Sequence, residues 1–522
     1  MSKEFCYSGN IFFKRIFSSA RQEWLLSGND IRFLPAYTRK NILPESDHIL
    51  MPHNQTPPQT PADLLSSAFA LRSSICQSIN GEILIPGDKS ISHRALILGS
   101  LAIGTTRVSG LLKGADVMST LSAMRQLGVD ISEADNGDVI IHGVGLHGLT
   151  TPDAPLDLGN AGTGARLLMG VIAGQRITAS FTGDSSLSAR PMRRVTDPLE
   201  EMGAQVSYLP ENNAKGLLPV TISGATPVLP ADYHSTIASA QIKSAILLAG
   251  LNARGTTKVT EPHISRDHTE AMLRHFGLTV EQTILADGRH EVSVTGEGQL
   301  RAADIAIPRD PSSAAFAIVA ALITPHSHIT LPGISMNPQR IGLIATLQEM
   351  GGSLSLSNHR IEGGEDVADI EVRSSRLHGI DVPALRAASM IDEYPILSIA
   401  AACASGKTHM VGVSELRVKE TDRIAVMAEG LRRCGVEIDE TDDTMTVLGS
   451  NSGGDDISAH SAIAGGVIIA SQHDHRIAMS FLTLGMVSKS PIIVEDVCTI
   501  ATSFPGFAAL MNHAGAKIER QS

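Results

Sequence analysis

The chain has 522 residues with 42 Lys plus Arg against 54 Asp plus Glu, a formal charge of −12, so a nucleic acid or other polyanion is a poor partner for its surface as a whole. At 43% hydrophobic and 18% charged it is not a disordered chain, and it can build Ala/Leu/Ile/Val cores for at least two domains. The longest apolar runs, such as residues 314–323, are about half of what spans a bilayer, and the scattered Cys6, Cys76, Cys403, Cys434 and Cys498 form no CxxC or zinc spacing, so no membrane span and reduced thiols are expected.

Eight of the 18 aromatic residues fall before residue 38, which sets the first segment apart from everything after it. A Pro/Gln/Thr-rich stretch at 52–61 reads as a linker, with Met51 before it as an internal start. Residues 1–72 are therefore taken as an N-terminal extension and linker, expected to be flexible and assigned no function.

Beyond the linker the sequence repeats. LGVDI at Gly128, MGAQV at Gly203, FGLTV at Gly277, MGGSL at Gly351, CGVEI at Gly435 and AGAKI at Gly515 lie 74 to 84 positions apart. Each glycine follows a helix-period stretch and precedes an alternating one, as a helix C-terminus leading into a strand does. Within each copy an Ala/Leu-rich helix (RALILGSLA, RLLMGVIA, KSAILLAGL, AAFAIVAALI, PILSIAAACA, IAMSFLTLG) precedes a short β-branched strand, a polar loop, a second helix and a closing strand. Six such units exceed one ordinary core, so they divide three and three.

The loops carry cations where helix N-termini normally favour acids. Lys89 and Arg94 lie in GDKSISHR, Arg166 in GNAGTGAR, and Arg190, Arg193 and Arg194 around Pro191; Arg266 lies in ISRDH, Lys419 and Arg423 in RVKETDR, and Arg476 in HDHR. An anionic ligand would turn this cost into a gain, and the spacings Ser90/Arg94 and Lys419/Arg423 place each pair on one helical face. Single surface cations are usually solvated ion-pair partners, so the set rather than any member carries the argument. Gly159, Gly162 and Gly164 would let backbone N–H groups approach a ligand, whereas GDKS lacks the Walker A glycine spacing and implies no ATP. Asp392 reads either as an N-cap or as a base, and Glu420 either as a salt-bridge acid or as a proton carrier; Lys89 among other cations could donate a proton. His473, Asp474 and His475 are adjacent and so point apart on a helix, which argues against metal.

GDKSISHRAL, LGNAGTGAR, ARPMRRV, SAQIKSAILLAGL, ISRDHTE, DPSSAAF, IDEYPI, LRVKETDR, DHRIAM and ATSFP occur in this order, and from about residue 75 to 519 the chain resembles the 5-enolpyruvylshikimate-3-phosphate synthase family. The resemblance implies an α/β fold of two similar globular domains, each of three βαβαββ repeats, an inside-out α/β barrel known as the enolpyruvyl transferase fold. It places one domain at 87–308 and the other at 73–86 plus 309–522, joined by segments crossing near 86–88 and 307–310, with the active site in the cleft between them. Repulsion between the cations of the two faces is expected to favour an open form until anionic ligands draw the domains together.

The reaction implied is transfer of the enolpyruvyl group of phosphoenolpyruvate to the 5-hydroxyl of shikimate 3-phosphate, through a tetrahedral adduct that eliminates phosphate. By motif match Lys89, Ser90, Arg94, Ser239, Gln241, Ser265, Arg266, Asp392 and Lys419 would contact shikimate 3-phosphate. Lys89, Gly162, Arg190, Gln241, Arg423 and Arg476 would contact phosphoenolpyruvate. Asp392 is the implied base, with Glu420 and Lys89 exchanging protons at the methylene carbon. No metal or organic cofactor is expected, and the resemblance implies a cytoplasmic monomer with small-molecule substrates. Three positions depart from the commoner branch: Thr502 replaces a phosphoenolpyruvate-binding lysine, Glu415 replaces an asparagine, and Ala240 replaces the neighbour of the first partner serine. In a second branch glyphosate tolerance goes with alanine at the position of Gly162; this chain keeps glycine, so glyphosate should compete with phosphoenolpyruvate. Two rivals remain: a UDP-N-acetylglucosamine enolpyruvyl transferase, whose cysteine loop would fall at 183–191 where no Cys stands, and a noncatalytic anion-binding repeat protein.

Overall fold

A computed structural model describes residues 69–450 and 462–521; Met51, Cys6, the 52–61 linker and the extension up to residue 68 lie outside the described residues. The six repeat glycines all adopt the left-handed conformation, with φ of +92° at Gly128, +100° at Gly203, +90° at Gly277, +89° at Gly351, +85° at Gly435 and +121° at Gly515. A side chain would be strained at that φ, so these positions end a helix and turn the chain into the next strand. The strands that follow are Asp130–Glu133, Gln205–Tyr208, Val280–Ile284, Ser353–Glu362, Glu437–Glu440 and Lys517–Arg520.

Each repeat contributes to one of six four-stranded mixed sheets. In the second, Leu156–Asp157 runs parallel to Thr178–Thr182, which pairs antiparallel with Val220–Ser223, itself antiparallel to Gln205–Tyr208. Three sheets borrow a strand from far away in the chain, the fourth taking Asn80–Glu82 as a parallel edge beside His328–Ser335. Ile305–Ala306 is the parallel edge of the first sheet, beside Ile103–Ser109, and Leu71–Ser74 lies between Ile492–Glu495 and Lys517–Arg520 in the sixth. Leu71 and Arg72, assigned to the extension on composition, thus belong to a sheet: their backbones complete a ladder that the sixth repeat lacks.

The first helix of each repeat is nearly apolar all round because it is enclosed on every side. In Pro311–Ile323 every residue up to Leu322 is buried, and Gly170 of Gly162–Ala173 packs so closely on its neighbour that a Cβ there would stand 2.2 Å from the Ala245 carbonyl oxygen. Buried apolar side chains fall into two clusters, one running from Ile91 to Ile307, the other joining Leu71, Cys76, Ile79, Ile83 and Ile85 to residues 314–518. We call these the first and second lobe. Each fully buried Leu or Ile is worth about 1.5–3 kcal/mol against exposure, so each lobe has a core of its own.

The chain passes between lobes twice, and the two passages pair with each other: Asp88 N–H donates to the Pro308 carbonyl at 2.8 Å and Asp310 N–H to the Pro86 carbonyl at 3.0 Å. A Cβ on Gly87 would lie 2.1 Å from the Gly110 carbonyl oxygen, so only glycine lets the strands approach here. Each passage runs directly into a helix, Lys89–Leu101 capped by Asp88 and Pro311–Ile323 capped by Asp310. Among the described residues no helix is long and apolar enough to cross a membrane.

Candidate active site

The helix Arg423–Arg433 begins at an arginine because Asp422, just before it, accepts from Ala425 N–H at 3.0 Å and fixes the start there. Lys419 is left in the preceding loop, so it and Arg423 do not share a helical face as their spacing predicts. They meet by another route. Arg423, with a side chain only 1% exposed, donates from Nε to Asp474 Oδ2 at 2.8 Å, pairs with Glu420 through Nη2, and reaches Asp392 Oδ1 at 3.3 Å through Nη1. Lys419 Nζ stands 3.9 Å from the same Asp392 oxygen. Arg476 Nη1 donates to the Asp392 backbone carbonyl at 3.0 Å and lies 3.3 Å from Glu393 Oε1.

Asp392 makes no N-cap: Glu393 occupies the cap position of Tyr394–Ala402, without a side-chain cap bond. Its carboxylate instead collects cations from both lobes, since Arg266 of the first lobe donates from Nη2 to Asp392 Oδ2 at 2.8 Å. Burial would raise the Asp392 carboxyl, but Arg476, Lys419, Arg266 and Arg423 together outweigh it and hold it well below the usual range. Glu420 is held low in the same way, burial being outweighed by Arg423 and Arg190 with help from His475 and Lys89. Burial of the His475 ring, helped by Lys89 and Arg476, keeps it neutral, with a pKa well below the ordinary imidazole value.

The first lobe supplies the facing wall. Arg190 Nη1 lies 3.7 Å from Glu420 Oε1, and its Nη2 donates to Asn160 Oδ1 at 2.8 Å and Ser186 Oγ at 3.0 Å. Arg166 donates to Gln241 Oε1 at 2.9 Å, and Gln241 in turn donates to Thr163 Oγ1 at 3.0 Å. Burial, then Arg190, lowers the Arg166 guanidinium to about 10. Gly162 opens its helix beneath both arginines: a Cβ would stand 3.0 Å from Arg190 Nη1 and 3.2 Å from Arg166 Nη1. Arg166, Asn160 and Glu393 had no assigned role from sequence; for Arg166 the signal was its place in GNAGTGAR.

Lys89 is the first residue of its helix, its Nζ 3.0 Å from Asp116 Oδ2. Arg94 is buried and bonded to neutral oxygens, from Nε to Thr269 Oγ1 at 2.6 Å, from Nη2 to Ser244 Oγ at 2.9 Å and from Nη1 to the Ser90 carbonyl at 3.0 Å; burial pulls it down to about 10. An arginine removed from water in this way favours an anion beside it. Ser239 caps Ala240–Gly250, accepting from Ile242 N–H at 3.5 Å. Ser265 donates its hydroxyl proton to Glu261 Oε2 at 2.7 Å, and Glu261 is fixed by the fully buried Lys243 at 2.9 Å. Ser265 can therefore turn to an anion only by giving up that bond.

Two expectations are corrected. The helix starts are not left without acids: Asp88, Asp422 and Asp474 stand at the N-caps before Lys89, Arg423 and Arg476, and accept from backbone N–H groups there. Nor do the facing walls simply repel. Arg266 meets Asp392, Arg190 meets Glu420, and Arg194 meets Glu415 at 3.8 Å, so the second-lobe face carries carboxylates that answer the cations of the first. Glu415, one of the departures noted above, serves this exposed pair. Thr502 donates to the Thr499 carbonyl at 2.7 Å, and its own carbonyl oxygen lies where a Cβ on Gly114 would come within 2.7 Å. Ala240 is the first residue of its helix.

The sequence profile of the EPSP synthase (3-phosphoshikimate 1-carboxyvinyltransferase) family matches residues 74–511. The chain is similar to the 3-phosphoshikimate 1-carboxyvinyltransferase of Parvibaculum lavamentivorans, 53% identical over 86% of this chain and 97% of the relative. It is similar to that of Roseobacter denitrificans at 51% identity, over 87% of this chain and 98% of the relative. Among solved structures, an EPSP synthase from Acinetobacter baumannii superposes with a TM-score of 0.77 at 45% identity, covering 87% of this chain and 100% of that one.

Proposed function

Since the chain belongs to the EPSP synthase (3-phosphoshikimate 1-carboxyvinyltransferase) family, we propose that it transfers the enolpyruvyl group of phosphoenolpyruvate to the 5-hydroxyl of shikimate 3-phosphate in the cation-rich cleft described above. The observation that carries this reading is Asp392, a single carboxylate within 4.0 Å of cations from both lobes. Each substrate bears a phosphate and a carboxylate, and the walls hold more arginine and lysine N–H groups than Asp392 and Glu420 can use. We read the domains as 87–308 and 73–86 plus 309–522, with Leu71 and Arg72 joined to the second, a division the two buried clusters support. A cytoplasmic, monomeric enzyme belongs to the same reading.

With four cations facing it, Asp392 is a weak base. Substrate anions would take up those N–H groups, and the proton affinity of Asp392 would rise toward what removal of the 5-hydroxyl proton needs. Lys89, Ser90, Arg94, Ser239, Gln241, Ser265, Arg266 and Lys419 would hold shikimate 3-phosphate. Gly162, Arg190, Arg423 and Arg476, with Lys89 and Gln241 shared, would surround phosphoenolpyruvate. The 5-oxygen bonds to C2 of the enol as C3 gains a proton, with Lys89 as its source, or Glu420 once substrate anions have taken up the cations that keep it ionised. The tetrahedral adduct then loses that proton from C3 to the same group, and the C2–oxygen bond to phosphate breaks. A UDP-sugar as acceptor is disfavoured: the relatives carry the 3-phosphoshikimate name, and 183–191 contains no cysteine.

The test is phosphate release measured with each substrate alone and with both together. Release that needs both is expected. Release from phosphoenolpyruvate that is indifferent to shikimate 3-phosphate, or that responds to a UDP-sugar instead, would refute the reading.

A further inference from the structure

Behind the cleft, at the crossing of the lobes, lies a buried ion cluster that the reaction scheme does not use. Arg340, between the strand His328–Ser335 and the helix Gly342–Glu349, is 4% exposed. Its Nη1 donates to Asp88 Oδ2 at 2.9 Å, and its Nη2 to Asp310 Oδ1 at 2.9 Å and Ser312 Oγ at 2.8 Å. Asp88 and Asp310 are the N-caps of the two helices that leave the crossing strands, one in each lobe. Nη1 also lies 3.3 Å from His268 Nε2, whose ring is fixed through Nδ1 by Glu365 Oε1 at 2.8 Å. Asn337 ties the same Glu365 to Asp267, donating at 3.3 Å and 2.8 Å. First-lobe groups (Asp88, Asp267, His268) and second-lobe groups (Asp310, Asn337, Arg340, Glu365) thus share one bonded network.

We propose that Arg340 is a positioning residue of the reaction: its planar fork fixes the distance between the two capping aspartates and thereby sets where Lys89 stands against the carboxylates of the second lobe. Lys89 follows Asp88 directly, and its backbone N–H faces Asp310 Oδ2 at 3.4 Å, so both arms of the fork act on the residue that begins the helix. A lysine in place of Arg340 would keep the charge but could not present two parallel N–H groups in a fixed plane. Burial would raise the Asp88 carboxyl, yet Arg340, then His268, hold it down at about 2, in keeping with an ionised bridge. This inference rests on the proposed function for its link to turnover, while the clamp itself does not.

The experiment compares the full-length parent with Arg340→Lys, Arg340→Met and Asp310→Asn. Phosphate release gives kcat and both KM values, and amide hydrogen exchange is followed by mass spectrometry over 86–92 and 307–312. For Arg340→Lys the expected result is a cooperatively folded protein whose KM values stay within about threefold while kcat falls about tenfold or more, since misplacing a reacting group acts on kcat. Faster exchange is expected in both segments. Asp310→Asn keeps the oxygen that accepts from both Ser312 N–H and Arg340 but removes the charge that strengthens that arm, so the same loss in smaller degree is expected; it carries the test if Arg340→Met does not fold. A lowered melting temperature with kcat per folded molecule unchanged would make Arg340 a stabilising residue only and overturn the proposal. Should the parent release no phosphate, the proposed function falls, and unchanged exchange at both crossings in Arg340→Lys would still refute the clamp.

Discussion

Replacing Gly162 by alanine tests the phosphoenolpyruvate wall with the smallest possible change. The added Cβ would stand 3.0 Å from Arg190 Nη1 and 3.2 Å from Arg166 Nη1, where ordinary contact begins at 3.4 Å, so each guanidinium must retreat by a few tenths of an ångström. Arg190 is anchored by Asn160 at 2.8 Å and Ser186 at 3.0 Å, and Arg166 by Gln241 at 2.9 Å. Charge-assisted hydrogen bonds are worth about 1.5–3 kcal/mol, and stretching those a bound anion makes with two such groups should lose about 1–2 kcal/mol. At about 1.4 kcal/mol per factor of ten, the KM for phosphoenolpyruvate should rise roughly 5- to 30-fold. Gly162 lies in a helix and not at a positive φ, so alanine brings no backbone strain, and its helix preference, up to about 1 kcal/mol, offsets the displacement of the two guanidiniums, leaving the melting temperature near the parent's. The assay is steady-state phosphate release against phosphoenolpyruvate with and without glyphosate, together with a thermal melt. Inhibition by glyphosate should weaken at least as much as KM rises. A KM and an inhibition constant both unchanged within about twofold would refute the wall as drawn, because two displaced cations cannot leave an anion's affinity untouched.

Asp392→Asn should leave the protein folded and lower kcat by about 10²–10⁴-fold, as removal of a general base does; phosphate release within tenfold of the parent would exclude that role. Lys243→Met would leave Glu261 and Glu270, at 2.9 Å and 2.8 Å from its ammonium, buried without their partner, and should cost about 3–5 kcal/mol in urea unfolding. A loss under about 1 kcal/mol would contradict the pairing. Stability should also fall in mild acid. His93 is buried, and desolvation with Lys89 and Arg94 nearby lowers it to about 3 from an ordinary 6.5, so as pH drops below 6.5 the unfolded chain takes up the proton first. At pH 5 that difference amounts to about 2 kcal/mol. His93→Asn, which keeps a polar atom toward Thr120 Oγ1, should flatten the urea midpoint between pH 7 and 5; an equal slope in both proteins would count against it.

Residues that act through local rules were legible. Each repeat glycine could be found from its place between a helical and an alternating stretch, and each is at positive φ. The cations of GDKS, ISRDH, VKETDR and DHR could be picked out because they crowd helix starts, and those of the last three reach Asp392. Their partners were hidden. Asp116 faces Lys89 from 27 positions away, Asp474 faces Arg423 from 51, and Arg340 meets Asp88 from 252, and no periodicity connects such pairs. Even the three borrowed strands could not be located, because Leu71–Ser74, Asn80–Glu82 and Ile305–Ala306 are too short to show a pattern and gain their place only from the sheet they complete.

The order of residues alone determined the repeated unit, its helix ends and an unusual supply of positive charge, because backbone conformation and capping depend on neighbours within one turn of chain. What the charges face was decided only when six units closed into two lobes. Electrostatic interaction depends on separation in space and on exclusion of water, and folding alone placed Asp392 and Glu420 where arginines from opposite lobes converge. That convergence turns a set of ordinary cations into a site for small anions.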